Sequence, residues 1–339
     1  MNKQLSSTHS TGLAILAAAA MLGTGLASAQ GPGGFGNVEI ETLHVAGSVY
    51  MLVGAGGNIA VSVGDDGILM VDAQFAPLSD KIVAAIRELS DGPIRYLINT
   101  HSHPDHVGGN ENLSRLGALN VSHDNARNKM QVGGPDARTA DPDDRIPGLP
   151  AAALPIMSFG DHISVHFNGE DVDLIYAGPA HTDGDIFVYF RGSNVLHMGD
   201  TLITAGFPVV DAASNGSFTG VIDALNLGLD LSTTAAGFLS GQGNQPGAWP
   251  DPSGGKDTDT IIVSGHGHLY DANDLIQYRD MVVTVRDRIV HMIEQGMSLE
   301  QVKAADPTLG WNTWYGSDTL PFTTGRFVET VYRELSKSR

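Results

Sequence analysis

Hydrophobic and polar positions alternate in short runs along most of the chain, and only a few stretches lengthen to a helical period. Val45–Val53, Asn58–Val63 and Gly67–Val71 are β-type runs separated by Gly-Ala-Gly-Gly and Gly-Asp-Asp-Gly turns, a pattern that predicts a meander. Ser79–Ser90 then places Ile82, Val83, Ile86 and Leu89 at helical spacing, and Ile94–Ile98 returns to a strand. A second β series follows in Ile156–Phe159, Ile163–Phe167, Val172–Tyr176, Ile186–Phe190 and Val195–Met198. Val221–Leu231 is helical in period, and Ile261–Ser264 reads as a short buried strand. Asp271 is placed to cap a helix that runs to about Gln295 and is ended by Gly296. Ser298 and Gln301 have the spacing of a capping box, and a last helix is expected over Arg326–Leu335. Residues 128–155 and 242–256, rich in Gly and Pro, are expected to be irregular loops.

Strands, helices, strands and helices in that order predict an α/β fold. The arrangement that fits is a four-layer αββα sandwich, two mostly antiparallel sheets packed face to face and covered by helices. No break in composition marks a second domain, so residues 30–339 are expected to form one domain with a C-terminal helical extension.

Charge narrows the choice of partner. A net charge of -19 disfavours nucleic acid, whose phosphates need a basic surface; the partner expected from the chemistry below is a small-molecule substrate. The chain has no cysteine, which excludes disulfides, thiolate metal ligands and a cysteine nucleophile. At the start, Lys3, a small apolar run from Gly12 to Leu26 and the triplet Ala27-Ser28-Ala29 have the form of a signal peptide. Residues 1–29 are therefore expected to be removed after Ala29, which implies a periplasmic or secreted protein with no stable membrane anchor. The run is short and rich in Ala and Gly for a permanent span. Oligomeric state is not legible.

The candidate chemistry follows the strand Ile94–Ile98. His101 and His103, two apart in a segment leaving a strand, can turn to one side and grip one ion. Asp105 and His106 are consecutive, so they diverge and can serve a second ion. Imidazole and carboxylate suit zinc, iron, manganese or nickel, and neutral imidazole favours zinc.

Thr100-His101-Ser102-His103-Pro104-Asp105-His106-Val107-Gly108-Gly109 resembles the signature of the metallo-β-lactamase superfamily. Three further segments resemble that family's later motifs in order: Gly178-Pro179-Ala180-His181-Thr182-Asp183-Gly184, Val195-Leu196-His197-Met198-Gly199-Asp200-Thr201 and Ser264-Gly265-His266-Gly267-His268. The resemblance implies the family's αββα fold and a hydrolytic centre of two divalent ions, zinc being favoured. It implies that His101, His103 and His181 hold one ion, that Asp105, His106 and His266 hold the other, and that Asp200 lies between them. A hydroxide held there would attack a carbonyl carbon, with Asp105 orienting it and passing its proton to the leaving group.

The absence of cysteine departs from the β-lactamases that ligate zinc through a thiolate, and Asp200 is similar instead to the wider hydrolase group. With export, this points to a small cyclic or activated carbonyl substrate such as a β-lactam, lactone or ester. Two other readings compete: a mononuclear-iron dioxygenase of sulfur compounds on the same fold, and a non-enzymatic metal-binding protein. Of the remaining histidines, His268 reads as a solvated turn residue and His197 as a core residue. His44, His123, His162, His166 and His291 have no ligand-like context. Trp249, Trp311 and Trp314 read as packing residues, and loops 128–155, 205–218 and 242–256 as the places where specificity would arise.

Overall fold

A computed structural model of the chain describes residues 34–136, 143–232, 259–319 and 322–337. The leader and the 242–256 loop lie outside the described residues, as does Trp249. In the first half, β1 (Glu41–Ala46), β2 (Val49–Val53), β3 (Ile59–Gly64) and β4 (Gly67–Val71) form the antiparallel meander. The run Val45–Val53 is thus not one strand. A turn at Gly47-Ser48 folds it back on itself, and the alternation continues on both sides of the turn, which hides it from a period reading. The sheet grows in parallel through β5 (Ile94–Ile98), β6 (Leu119–His123) and β9 (Met157–Phe159). The first sheet is therefore mixed rather than mostly antiparallel.

Residues 128–155 are also more ordered than their composition suggests. The helix Asp124–Val132 occupies their beginning, β7 (Gly134–Pro135) pairs with β8 (Arg145–Ile146), and a short 3-10 turn covers Ala151–Ala153. The second sheet comprises β10 (His162–Phe167), β11 (Glu170–Tyr176), β12 (Ile186–Phe190) and β13 (Val195–His197) in antiparallel order, with β14 (Ile261–Val263) parallel to β13.

The period of two along the strands builds the layers. In β4, Leu69 and Val71 enter the space between the sheets, whereas Ile68 and Met70 point outward to Ile82 and Ile86 of the helix Ser79–Leu89. In β12, Ile186, Val188 and Phe190 face the first sheet, and Phe187 faces Val221 and Leu225 of the helix Phe218–Leu231. Each strand is buried on both faces, so each reads as an apolar run.

The long helix Ala272–Glu294 has its capping box at Asp271 and ends before Gly296. It lays Leu275, Tyr278, Val282, Val285 and Ile289 on the outer face of the second sheet. Burying each of the aliphatic side chains among them, Leu275, Val282, Val285 and Ile289, stabilises the fold by roughly 1.5–3 kcal/mol. The helix Leu299–Ala304 carries the Ser298–Gln301 capping box, and Thr324–Lys337 closes the layer.

This topology brings four strand ends to one place. The parallel pair β4–β5 in one sheet and the parallel pair β13–β14 in the other all end at the same edge of the sandwich, and the histidine-bearing loops follow them.

Candidate metal centre

The chain leaves β4 through a strained turn. Asp72 (φ 65°) and Gln74 (φ 49°) both hold left-handed conformations, which cost non-glycine residues on the order of 1 kcal/mol or more. The turn places the Asp72 carboxylate, fully buried, beneath the segment that follows β5. One Asp72 oxygen accepts from Thr100 N (2.8 Å). The other accepts from Thr100 Oγ1 (2.7 Å) and His106 Nδ1 (2.8 Å). Thr100 Oγ1, its own proton spent on Asp72, accepts from His101 Nδ1 at 3.0 Å. Farther round, His103 Nε2 donates to Asp211 (2.9 Å) and His181 Nδ1 donates to the carbonyl of Val209 (2.7 Å).

These bonds fix tautomers. Each of the four imidazoles commits one N–H outward, so its other nitrogen turns a lone pair toward a common centre. There His181 Nε2 and His103 Nδ1 lie 2.9 Å apart, and His101 Nε2 is buried with no hydrogen-bond partner. Two lone pairs at that separation repel unless something positive sits beside them.

The ligand-type atoms fall into two groups, His101, His103, His181 and Asp200 in one, and Asp105, His106 and His266 in the other. Within each group these atoms lie within 4.8 Å of one another. Asp200 faces both groups. Its carboxylate oxygens lie 3.6 Å from His181 Nε2, 3.2 Å from His106 Nε2 and 3.4 Å from His266 Nε2. Asp105 approaches His266 Nε2 at 3.2 Å. All seven positions singled out in the sequence are thus gathered at one point.

The electrostatics agree with a place for cations. Burial holds His101 well below its ordinary pKa and His181 down to about 4, which keeps both as neutral donors. Burial also opposes protonation of His266, yet Asp200 and then Asp105 outweigh it and lift the ring to about 9. Without other positive charge, the carboxylates draw protons. Asp200 is held well below the usual carboxylate range against the effect of burial, chiefly by His266 and His106. The donor set therefore fits two divalent ions of the zinc kind, with Asp200 placed to reach both.

Backbone spacing is equally exacting. A Cβ on Gly265 would fall 2.0 Å from Asp200 Oδ1, and one on Gly57 would fall 2.1 Å from the His106 ring. Both loops come this close because Asn58 ties the two sheets together, its N–H donating to Gly265 O (2.7 Å) and its side chain to Ser264 O (2.9 Å).

Asp72, Asp211, Thr100 and Asn58 are the residues that sequence reasoning missed. Only Asp72 left a trace, as an acid at the end of a wholly apolar strand. His197 is a core residue, accepting from Gly199 N and donating to Asn58 O at 3.1 Å. His123 is similarly satisfied by Asn125 N and Gly160 O. His268 is exposed outside both groups, and Trp311 packs under Arg288.

Residues 46–274 match the family model of the metallo-beta-lactamase superfamily. The chain belongs to this superfamily. Among curated relatives it is 25% identical over 168 residues to the 2,4-dinitroanisole O-demethylase subunit alpha of Nocardioides sp., covering 49% of this chain and 47% of that one. It is 30% identical over 129 residues to the hydroxyacylglutathione hydrolase of Rhodospirillum rubrum, covering 38% and 41%. The chain thus spans less than half the length of these relatives.

Among solved structures, the DIM-1 metallo-beta-lactamase aligns with a TM-score of 0.51 at 14% identity, covering 73% of this chain and 99% of that one. A double mutant of the sec-alkyl sulfatase PisA1 aligns at 0.56 and 14% identity, covering 88% and 50%. At such identity these likenesses concern the fold, which they share with the αββα layering described above.

Proposed function

We propose that the chain is an exported metal-dependent hydrolase acting on a small cyclic or activated carbonyl compound, a β-lactam, lactone or ester. The observation that carries the reading is the convergence of inward-facing imidazole lone pairs around a carboxylate that faces both donor groups. His101, His103 and His181 would hold one ion, Asp105, His106 and His266 the other, with Asp200 reaching both. Two divalent ions, zinc being favoured, supply Lewis acidity toward the carbonyl oxygen and lower the pKa of water into the neutral range.

The rest is done by the protein. Asp105 has a side chain 21% exposed, against 6% for Asp200, so it is the carboxylate that water and substrate reach. It would be kept ionised against the cost of its burial by the positive charge of an ion held at His106 and His266. As the water oxygen bonds to the carbonyl carbon, Asp105 takes the proton released. It then delivers that proton to the leaving oxygen or nitrogen as the carbonyl carbon's bond to it breaks. A relative named as a hydrolase supports this reading. The leader pattern at residues 1–29 supports export.

Elemental analysis paired with a panel of chromogenic β-lactams, lactones and aryl esters tests the proposal. About two zinc ions per chain with turnover of one class are expected. A single iron with oxygen uptake on a sulfur compound would overturn it in favour of the dioxygenase.

A further inference from the structure

Beside the metal centre lies a cavity of about 320 Å³, a volume in the range that takes a small organic ligand. Ser102, His103 and Ser214 are part of its lining. His103 is the open member of its donor group, its side chain 19% exposed against 1% for His101 and 2% for His181. The cavity and the metal centre therefore share His103, the most exposed of the imidazoles in its group.

Its walls are apolar. Val107 and Met130 form one side, and Ile146 and Leu149 come from the β7–β8 hairpin and the segment after it. Leu149 N donates to Met130 O at 2.7 Å, which pins the second wall against the helix Asp124–Val132.

The charge of its lining is unusual for this molecule. Acids outnumber bases 38 to 19 in the chain as a whole, yet this lining holds Lys129 and Arg145 against a single acid, Asp136. Lys129 reaches across to donate to Ala213 O at 2.8 Å, and two N–H groups remain for other acceptors. Arg145 is exposed on the edge of the hairpin. An apolar chamber that shares His103 with the metal centre and has two cations in its lining selects by chemistry. A charge-assisted bond to an anion there is roughly twice as strong as a neutral one.

We infer that this cavity is the specificity pocket, and that it takes an apolar limb of the substrate ending in a carboxylate, held between Lys129 and Arg145. The inference rests on the hydrolase reading for its substrate but not for its binding chemistry.

The test is calorimetric binding of 4-phenylbutanoate and its uncharged counterpart 4-phenylbutanamide to the zinc-loaded protein. The carboxylate should bind about tenfold more tightly than the amide. The double variant Lys129→Gln/Arg145→Gln, which removes the charges and keeps most of each side chain, should erase that difference, and Ile146→Trp should weaken both by filling the chamber. Equal binding of the two probes, or binding of neither, would overturn the pocket. So would a preference that survives in the double variant, since the carboxylate would then be held at the metal ions. Ester turnover, measured separately, keeps the two readings apart. Loss of probe preference in a protein that hydrolyses esters sinks the pocket alone, and intact preference without any hydrolysis sinks the hydrolase alone.

Discussion

At the scale of single residues, the centre depends on a division of labour between two carboxylates. Asp105 can be changed without loss of the donors around it, so Asp105→Asn should lower kcat by roughly 10²–10⁴-fold while far-UV dichroism stays unchanged. Near-normal kcat in that variant would remove Asp105 from proton transfer. Asp72 acts differently, because it touches no substrate and holds the His106 and Thr100–His101 rings in register. Asp72→Ala should therefore weaken zinc binding by about 10–100-fold in a competition titration, and unchanged affinity would show that the rings are held by packing alone. These two residues also mark the limit of sequence reading. Asp105 sits in a contiguous motif whose spacing reveals its chemistry. Asp211 supports His103 from 108 positions away, and no local pattern records such a pairing. Asp72 differs again, since its function depends on a left-handed turn that an acid after an apolar strand does not announce.

Elements were legible where local physics decides them and obscure where tertiary packing does. The capping boxes at Asp271 and Ser298 act within one turn, and both helices begin where those residues require. The strand Leu119–His123 escaped because Asn120, Ser122 and His123 break the apolar pattern, although each is buried in the fold. Its helix Asp124–Val132 buries only Ala126 and Met130. One contact between elements leads to a stability prediction. Glu334, on the last helix, accepts from Phe218 N (2.7 Å) and Thr219 N (3.0 Å) at the start of the helix Phe218–Leu231, where a negative charge also meets the helix dipole. Burial works against its ionisation, but the bonds from Thr219 and Phe218 hold it below its ordinary value near 4.5. A carboxylate with a lowered folded pKa stabilises above its unfolded value and loses that contribution as pH falls through the folded one. Glu334→Gln should cost about 1–2 kcal/mol at neutral pH in urea unfolding. The gap from the parent should narrow as the pH falls below the ordinary carboxyl value near 4.5. A gap that does not change with pH would mean that the carboxylate's charge is not what holds the helices together.

For the whole molecule, the two sheets share the centre. His101, His103, Asp105 and His106 follow β5 of the first sheet, while His181, Asp200 and His266 follow β11, β13 and β14 of the second. Each donor group therefore draws on both sheets, and an ion held by it would tie the two together across the edge of the core. A ligand that binds only the folded form adds RT ln(1 + [L]/Kd), about 4 kcal/mol at a thousandfold excess over Kd. For a chain of this size, that corresponds to a rise in Tm on the order of 10 °C. Calorimetry of the chelated and zinc-loaded protein should show this shift as one cooperative transition. His266→Ala leaves all four ligand positions of the first group and only Asp105 and His106 with Asp200 in the second, so it should retain part of the shift. Asp200→Ala removes the carboxylate that both groups share and should forfeit most of it. If chelation leaves Tm unchanged, the centre contributes nothing to holding the sheets together. The strained turn at Asp72 and the Asn58 tie must then maintain the site geometry without metal.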